Sequence, residues 1–218
     1  MNLKKINSKF GIMQGRLVPQ ESKKIQSFPW QGWKKEFQLC KKNNFNFLEW
    51  TVDEKNFFKN PINIESEIKK INQLKRKNKI QIKSLTADFF MQKPFFKEKN
   101  LHRAFKQLNK LHVIINNSKK IGVKYIIVPL VDNASLKNIK KLDFFYKSIK
   151  NLENFLKKNN QMILFESDYS PKNLHKFIKK FNPKFIGVNY DTGNSASLNY
   201  DFQKETVYFK YVKNIHIK

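Results

Sequence analysis

Short apolar runs alternate with longer amphipathic stretches along the whole chain. Each run has the length and the β-branched and aromatic content of a strand that is buried on both faces. Between the runs, apolar residues recur at helical spacing, and lysines occupy the opposite face. The predicted strands are residues 10–13, 47–50, 80–85, 125–128, 162–165, 185–189 and 214–217. The predicted helices lie at 33–44, 64–77, 101–120, within 136–158, from Pro171 onward and at 202–211.

This alternation of strand and helix predicts a parallel α/β protein. Two architectures fit it, an eight-stranded (β/α)8 barrel of the TIM-barrel type and an open, doubly wound sheet. The turn at 13–17 carries neither a dinucleotide fingerprint nor a P-loop, so we favour the barrel. Because the chain stops two residues after His216, we expect a barrel truncated after strand seven, with its C-terminal unit missing.

Composition and length indicate one globular domain over residues 1–218. Hydrophobic residues make up 40% of the chain and aromatic residues 14%, which is enough for a single packed core. The single cysteine, Cys40, cannot form an internal disulfide and suits a helix as a small apolar filler. Residues 1–7 are basic but lead into no apolar segment, and no stretch reaches the roughly 18 uncharged residues of a membrane span. We therefore expect a cytoplasmic protein without a membrane partner.

The formal charge of +27, from 44 Lys and Arg against 17 Asp and Glu, first suggests a nucleic-acid partner. However, the excess is nearly all lysine, is spread through every predicted helix and accompanies heavy use of Asn, Ile and Phe, whose codons are rich in A and T. No arginine cluster, zinc-finger spacing or ribonucleoprotein motif accompanies it. We do not expect nucleic acid as the main partner, although positive potential would attract an anionic small molecule such as a sugar phosphate.

Three of the last apolar runs finish with a side chain that can bind a metal ion. Glu166, Asp191 and His216 each follow a predicted strand, and parallel strands of a barrel bring their C-terminal ends together at one mouth. This pattern suggests one divalent-metal site. Each residue also has an ordinary alternative, since Glu166 could be a solvated loop carboxylate and Asp191, before Thr192-Gly193, suits a turn. The other histidines, His102, His112 and His175, fall in predicted helices and suit structural roles.

Several stretches together resemble the xylose isomerase-like TIM barrel family of sugar and sugar phosphate isomerases and epimerases. Their order along the chain and their positions at predicted strand ends carry the resemblance, which extends from strand one to strand seven. The stretches are residues 11–16 (GIMQGR), 25–30 (IQSFPW), 47–50 (FLEW), 87–90 (ADFF), 165–168 (FESD), 189–194 (NYDTGN) and 214–218 (NIHIK).

The resemblance implies one divalent ion held by Glu, Asp and His after strands five, six and seven and by a second Glu after strand eight. The first three map onto Glu166, Asp191 and His216, whereas the fourth has no counterpart in the 218 residues. Carboxylates with one imidazole suit Mn²⁺, Mg²⁺, Co²⁺ or Zn²⁺. In such enzymes the two glutamates move the proton next to a carbonyl, so Glu166 would be both ligand and catalytic acid/base. Isomerase activity would then require that the missing C-terminal part is supplied.

Five further positions at the predicted mouth are candidates for substrate binding. Arg16 could hold a substrate carboxylate or phosphate, or could brace the loops by pairing with an acidic residue. Glu49 and Asp88 could bind sugar hydroxyls or orient the metal ligands. The residues in this group are Gln14, Arg16, Glu49, Asp88 and Asn194, the last at a position where many relatives carry a histidine.

The leading interpretation is therefore a sugar or sugar phosphate isomerase or epimerase that acts on a small carbohydrate. A non-catalytic sugar-binding or scaffold barrel is the alternative. An endonuclease IV-like nuclease of the same superfamily would suit the positive charge but needs several more histidine and acidic ligands for its zinc cluster. Without an eighth strand, strands one and seven would expose unpaired edges, which predicts closure by a homo-oligomer or by a complementing C-terminal chain.

Overall fold

The computed structural model describes residues 10–19, 27–139 and 142–218. The basic start of the chain at 1–7 and the first two residues of the 25–30 stretch lie outside the described residues, as do residues 140–141, which fall within the predicted 136–158 helix region.

In the described part of the chain, seven parallel strands form one sheet whose spatial order follows the sequence from the first strand to the last. All seven predicted strands are confirmed. The third is shorter than predicted, and its missing first half contributes only an isolated bridge between Phe47 and Gln81. The strands are β1 (Gly11–Met13), β2 (Phe47–Thr51), β3 (Ser84–Thr86), β4 (Tyr125–Leu130), β5 (Met162–Ser167), β6 (Ile186–Asp191) and β7 (Val212–His216).

Helices fill the connections between successive strands. The helices are α1 (Trp33–Lys42), α2 (Glu65–Asn78), α3 (Asp88–Gln92), α4 (Leu101–Lys119), α5 (Asp143–Lys150), α6 (Glu153–Asn159), α7 (Pro171–Ile178), α8 (Thr192–Ser197) and α9 (Phe202–Glu205), with 3₁₀ turns at Phe57–Lys59, Pro61–Asn63, Phe95–Lys97, Asp132–Ala134 and Thr206–Tyr211.

The helices differ from the predicted ones in three places. The 136–158 region holds two helices, α5 and α6, because the chain turns at Asn151 and Leu152. The 202–211 region begins as the single turn α9 and continues as a 3₁₀ helix. The pattern did not predict the short helices α3 and α8, which are too brief to show a helical period.

The hydrophobic core lies between the outer face of the sheet and the helices. Phe165 on β5 packs against Phe145 of α5 and Phe177 of α7, with ring centroids 5.8 and 5.4 Å apart. Because side chains alternate along a strand, the neighbouring Leu164 and Glu166 point to the opposite, inner face of the sheet. The strand period therefore places Glu166 inside the curve of the sheet, above the buried Leu164.

The sheet is curled rather than flat. Glu49 of β2 and His216 of β7 are five strands apart in sheet order, which would separate them by roughly 24 Å in a flat sheet. Instead, Glu49 Oε1 lies 3.0 Å from His216 Nε2. The seven strands therefore wrap into most of a barrel, and this contact crosses its open side.

The two edge strands of the described sheet are β1 and β7. The outward-facing Ile215 of β7 is 57% exposed, and Ile217 just beyond the strand is 70% exposed. None of the helices in the described ranges is long and apolar enough to cross a membrane.

Candidate functional site

The three residues predicted as metal ligands meet at the C-terminal ends of β5, β6 and β7. One ligand atom from each of Glu166, Asp191 and His216 can be chosen so that all lie within 4.8 Å of one another. His216 Nδ1 is 3.3 Å from Glu166 Oε2 and 3.7 Å from Asp191 Oδ2. The strand ladder sets this arrangement, because Asp191 and His216 are direct partners in the pairing of β6 with β7.

The two carboxylate oxygens of Asp191 make different contacts, one with the backbone of the next helix and one with the site. Its Oδ1 accepts a hydrogen bond from the backbone N–H of Asn194 at 2.9 Å and so caps the N-terminus of α8. Its Oδ2 faces His216, while Lys218 Nζ lies 2.6 Å away. The turn and the ligand roles considered for Asp191 are therefore compatible within one side chain.

Two asparagine amides hold the carboxylate of Glu166. Asn189 Nδ2 donates to Glu166 Oε2 and Asn194 Nδ2 donates to Glu166 Oε1, both at 2.8 Å. Asn214 Nδ2 in turn donates to Asn189 Oδ1 at 2.8 Å. Because carboxylate oxygens accept hydrogen bonds, these two amide donors fix the direction of the Glu166 side chain. Asn194 was predicted from the sequence and Asn189 was not, although its position two residues before Asp191 places both on the same face of β6.

The charged groups of the site shift one another's pKa values. Burial alone would lower the pKa of His216, but the carboxylate of Glu49 and the contacts with Asp191 and Glu166 raise it to about 12. Burial opposes ionisation of Glu49 and Asp191 too, yet the cationic partner His216 keeps the pKa of each below its ordinary value, helped at Asp191 by Lys218. In this chain, His216 and Lys218 balance the buried carboxylates.

Lys218 is a site residue that the sequence analysis missed. The pKa of its ammonium group would fall on burial, but Asp191 and the nearby Glu166 raise it, and Arg16 is close enough to act in the opposite direction. The side chain reaches Asp191 by passing over Gly193, where an added Cβ would lie 2.9 Å from Lys218 Cβ. Arg16 and Lys218 therefore bring two cations to the mouth of the barrel.

The remaining predicted residues occupy different positions at the mouth. Gln14 is buried, and its Oε1 accepts from the backbone N–H of Thr51 at 3.1 Å, while its Nε2 is a buried donor without a hydrogen-bond partner among the described residues. Asp88 is buried at the start of α3, and Arg16 is exposed. Glu49 is only 7% exposed, and its oxygens accept from Ser84 and Thr86 at 2.6 and 2.5 Å.

The loop that carries Gln14 and Arg16 is anchored by a buried acid. Glu36 of α1 is fully buried, and its Oε1 accepts from the backbone N–H of Gly15 at 2.7 Å. Its Oε2 is buried without a hydrogen-bond partner in the described structure. Burial outweighs the backbone hydrogen bonds and raises the pKa of Glu36 from 4.5 to about 7.

A second buried acid, Glu205, anchors α8. Glu205 accepts hydrogen bonds from Ser195 Oγ at 2.7 Å and from the hydroxyls of Tyr190 and Tyr208 at 2.8 Å each. Burial and then the Glu205 carboxylate raise the pKa of Tyr208 well above its ordinary value, so its hydroxyl keeps its proton. Because Ser195 lies in α8, this cluster fixes the helix that carries Asn194.

The cluster at Glu166, Asp191 and His216 has the properties expected for a divalent ion. Asp191 Oδ2 is buried and accepts no properly aligned hydrogen bond, despite the nearby Lys218. Two carboxylates and one imidazole are the donor set that Mn²⁺ and Zn²⁺ accept. Within the described ranges, no second group of three or more such residues converges, so they supply no multi-zinc cluster of the nuclease kind.

Comparisons with known proteins agree with the fold. The family model described as xylose isomerase-like TIM barrel matches residues 37–218. No curated protein matches the sequence significantly.

Three solved structures illustrate the similarity. The 3-keto-D-glucoside 4-epimerase YcjR from E. coli matches with a TM-score of 0.70 and 12% identity over 96% of this chain and 78% of that chain. A xylose isomerase-like TIM barrel protein from Mycobacterium smegmatis, in complex with magnesium, matches with a TM-score of 0.65 and 15% identity over 87% of this chain and 67% of that chain. The IOLI protein with a bound zinc atom matches with a TM-score of 0.63 and 15% identity over 84% of this chain and 66% of that chain. At these identities the similarity establishes the fold, and the predicted TIM-barrel class is confirmed.

Proposed function

The chain belongs to the xylose isomerase-like TIM barrel family, and on this premise we propose that it is a sugar or sugar phosphate isomerase or epimerase. It would use a divalent metal ion and move a proton next to a carbonyl group. We also propose that residues 1–218 form one domain and that the protein is cytoplasmic. The epimerase activity named for YcjR supports this choice of reaction class.

The observation that carries the proposal is the convergence of Glu166, Asp191 and His216 at the barrel mouth, with ligand atoms within 4.8 Å. These three residues would hold the ion. Of the structural neighbours, one contains magnesium and another contains zinc. Once bound, a divalent ion polarises a carbonyl oxygen and stabilises negative charge that develops on it.

The residues of the chain account for the proton transfer. The amides of Asn189 and Asn194 orient Glu166, so that its carboxylate can accept a proton from the carbon next to the carbonyl and return it. Gln14 offers a buried amide donor at the mouth. The cations Arg16 and Lys218 favour a substrate that carries a phosphate or a carboxylate.

Deuterium exchange tests this function without knowledge of the product. The full chain with Mn²⁺ is incubated in D₂O with D-fructose and with D-fructose 6-phosphate, and ¹H NMR follows the hydrogens next to the carbonyl. We expect exchange with the wild type and with Glu65→Gln, a variant of an exposed residue, but none with Glu166→Gln. Absence of exchange from a panel of ketoses and their phosphates in the metal-loaded wild type would contradict the proposal.

A second function, a non-catalytic sugar-binding or scaffold barrel, is favoured by one observation. The acidic groups of the site already have partners within the chain, since Lys218 lies 2.6 Å from Asp191 and both Glu166 oxygens accept amide hydrogen bonds. Such a barrel would bind a sugar in calorimetry without any deuterium exchange. Binding without exchange would therefore select this second function over the first.

We further propose that the open edge of β7 takes a partner, either a second copy of the chain or a complementing C-terminal segment. The exposed Ile215 and Ile217 support this proposal, because outward-facing apolar residues of a barrel strand are normally covered by a helix. Light scattering distinguishes the two. A dimer that Ile215→Lys dissociates indicates self-association, whereas a monomer that binds a separately expressed strand–helix segment indicates complementation.

A further inference from the structure

Glu49 is a buried carboxylate that faces the histidine of the metal cluster. Its carboxylate is 7% exposed, and both oxygens are engaged within the barrel. Ser84 Oγ donates to Oε2 at 2.6 Å and Thr86 Oγ1 donates to Oε1 at 2.5 Å. The remaining close neighbour is His216 Nε2, 3.0 Å from Oε1. This contact is not an aligned hydrogen bond, and the buried Nε2 has no other hydrogen-bond partner among the described residues, so Glu49 is the acceptor within its reach. Little of the carboxylate is left for a substrate hydroxyl.

The contacts around His216 indicate which ring nitrogen keeps its proton when the ring is neutral. Glu166 Oε2 can only accept, so the atom of Asn189 that lies 2.8 Å from it is the amide nitrogen. Asn214 Nδ2 donates to the other end of the same amide, which agrees with this orientation. The Asn189 nitrogen also lies 3.1 Å from His216 Nδ1 and presents its second N–H there. In the neutral ring, Nδ1 is therefore the nitrogen whose lone pair is available to a metal ion.

The opposite nitrogen then holds a proton in either charge state of the ring. Nε2 faces Glu49 Oε1, while Nδ1 faces the ligand oxygens of Glu166 and Asp191 at 3.3 and 3.7 Å. A ligand histidine commonly donates its other N–H to a carboxylate, which fixes the tautomer and the ring direction. We propose that Glu49 is a positioning residue that holds the Nε2 proton of His216 and so directs Nδ1 to the metal ion.

This inference rests on the proposed function, because it assigns a role toward the ion that Glu166, Asp191 and His216 would hold. It also gives a reason for two hydroxyls on β3. Ser84 and Thr86 lie on alternate positions of that strand and therefore on one face, from which both point at Glu49 of the adjacent β2. The chain of contacts thus runs from β3 through β2 and across the open side of the barrel to β7.

The test measures metal affinity and the histidine tautomer in the full chain. Calorimetry with Mn²⁺ and Zn²⁺ compares the wild type with Glu49→Ala and Glu49→Gln. We expect Glu49→Ala to weaken binding by about 10- to 100-fold, the usual effect of losing such a partner. Glu49→Gln, which keeps an oxygen acceptor for the Nε2 proton, should lose less. Glu65→Gln, at an exposed residue paired with Lys120, is the matched control and should bind as the wild type does.

The ¹⁵N NMR spectrum of His216 in the Zn²⁺ form provides a readout that a general loss of stability would not change. In the wild type we expect zinc on Nδ1 and a proton on Nε2. In Glu49→Ala we expect a mixture of Nδ1- and Nε2-bound forms. If Glu49→Ala does not fold, Glu49→Gln alone decides the role of Glu49. That role is overturned if Glu49→Gln binds metal with wild-type affinity while its His216 Nε2 proton exchanges with water as fast as an unprotected imidazole proton.

The outcomes separate the two proposals. A wild-type chain that binds neither metal overturns the proposed metal site and the role of Glu49 with it. A wild-type chain that binds metal, with Glu49→Ala binding equally well through the same ring nitrogen, overturns only the role of Glu49.

Discussion

Replacement of the buried acid Glu36 by glutamine should remove a pH dependence of stability. The pKa of Glu36 is raised from 4.5 to about 7, since burial outweighs its backbone hydrogen bonds. The folded state therefore binds a proton more tightly than the unfolded chain does. The stability that comes from this group is fully present below pH 4.5 and is lost as the pH rises through 7.

The size of the effect follows from the shift. A difference of about 2.5 pKa units corresponds to about 3 kcal/mol, and most of this is lost between pH 5 and pH 8. Glu36→Gln keeps an oxygen acceptor for the N–H of Gly15 and carries no charge. Its stability relative to the wild type should therefore rise by roughly 2 to 3 kcal/mol over this range.

Urea denaturation at pH 5, 6, 7 and 8 measures this difference directly. Contributions from all other titrating groups appear in both proteins and cancel. The exposed Glu65→Gln variant provides the control and should follow the wild type across the range, because exposed ion pairs contribute little. A Glu36→Gln variant whose difference from the wild type stays constant from pH 5 to 8 would refute a raised pKa for Glu36.

Three further predictions address the site and its support. Asp191→Asn should keep the cap of α8, because asparagine is an equally good cap. It should weaken Mn²⁺ binding in calorimetry at least about tenfold, and an unchanged affinity would exclude Asp191 as a ligand. Glu205→Ala leaves the buried hydroxyls of Ser195 and Tyr208 without their acceptor and should lower the free energy of unfolding by roughly 2 to 4 kcal/mol in urea, whereas a loss below about 1 kcal/mol would contradict its anchoring role. Cys40, whose pKa burial and then Glu36 raise to about 12, should not react with a thiol reagent at pH 8 until the chain unfolds, and rapid labelling of the native protein would show that it is accessible.

The sequence was sufficient for the parts of the fold that have a strong local signal. Each strand is a compact apolar run, and Glu166, Asp191 and His216 each stand where such a run ends, which is why their convergence could be predicted. The split between α5 and α6 was missed because apolar residues continue through the turn at Asn151 and Leu152 without a glycine or proline to mark it.

The contacts that tune the site depend on geometry that the sequence pattern does not encode. Asn189 is an ordinary residue within a strand until the register places its amide between Glu166 and His216. Lys218 is one lysine among many, and it reaches Asp191 because Gly193 leaves room for its side chain. Glu36 lies in a helix with lysines on either side, and only the fold shows that the loop at Gly15 closes over it.

The order of the strands has a consequence for how the site forms during synthesis. Each strand pairs with the one made just before it, so the sheet can grow strand by strand from β1 onward. The cluster is different, because His216 is translated last and must also meet Glu49 from the second strand. A nascent chain therefore cannot assemble the cluster until both ends of the sheet are folded. Protection of the β7 amides from hydrogen exchange would consequently report on the folding of the whole barrel rather than on one local element.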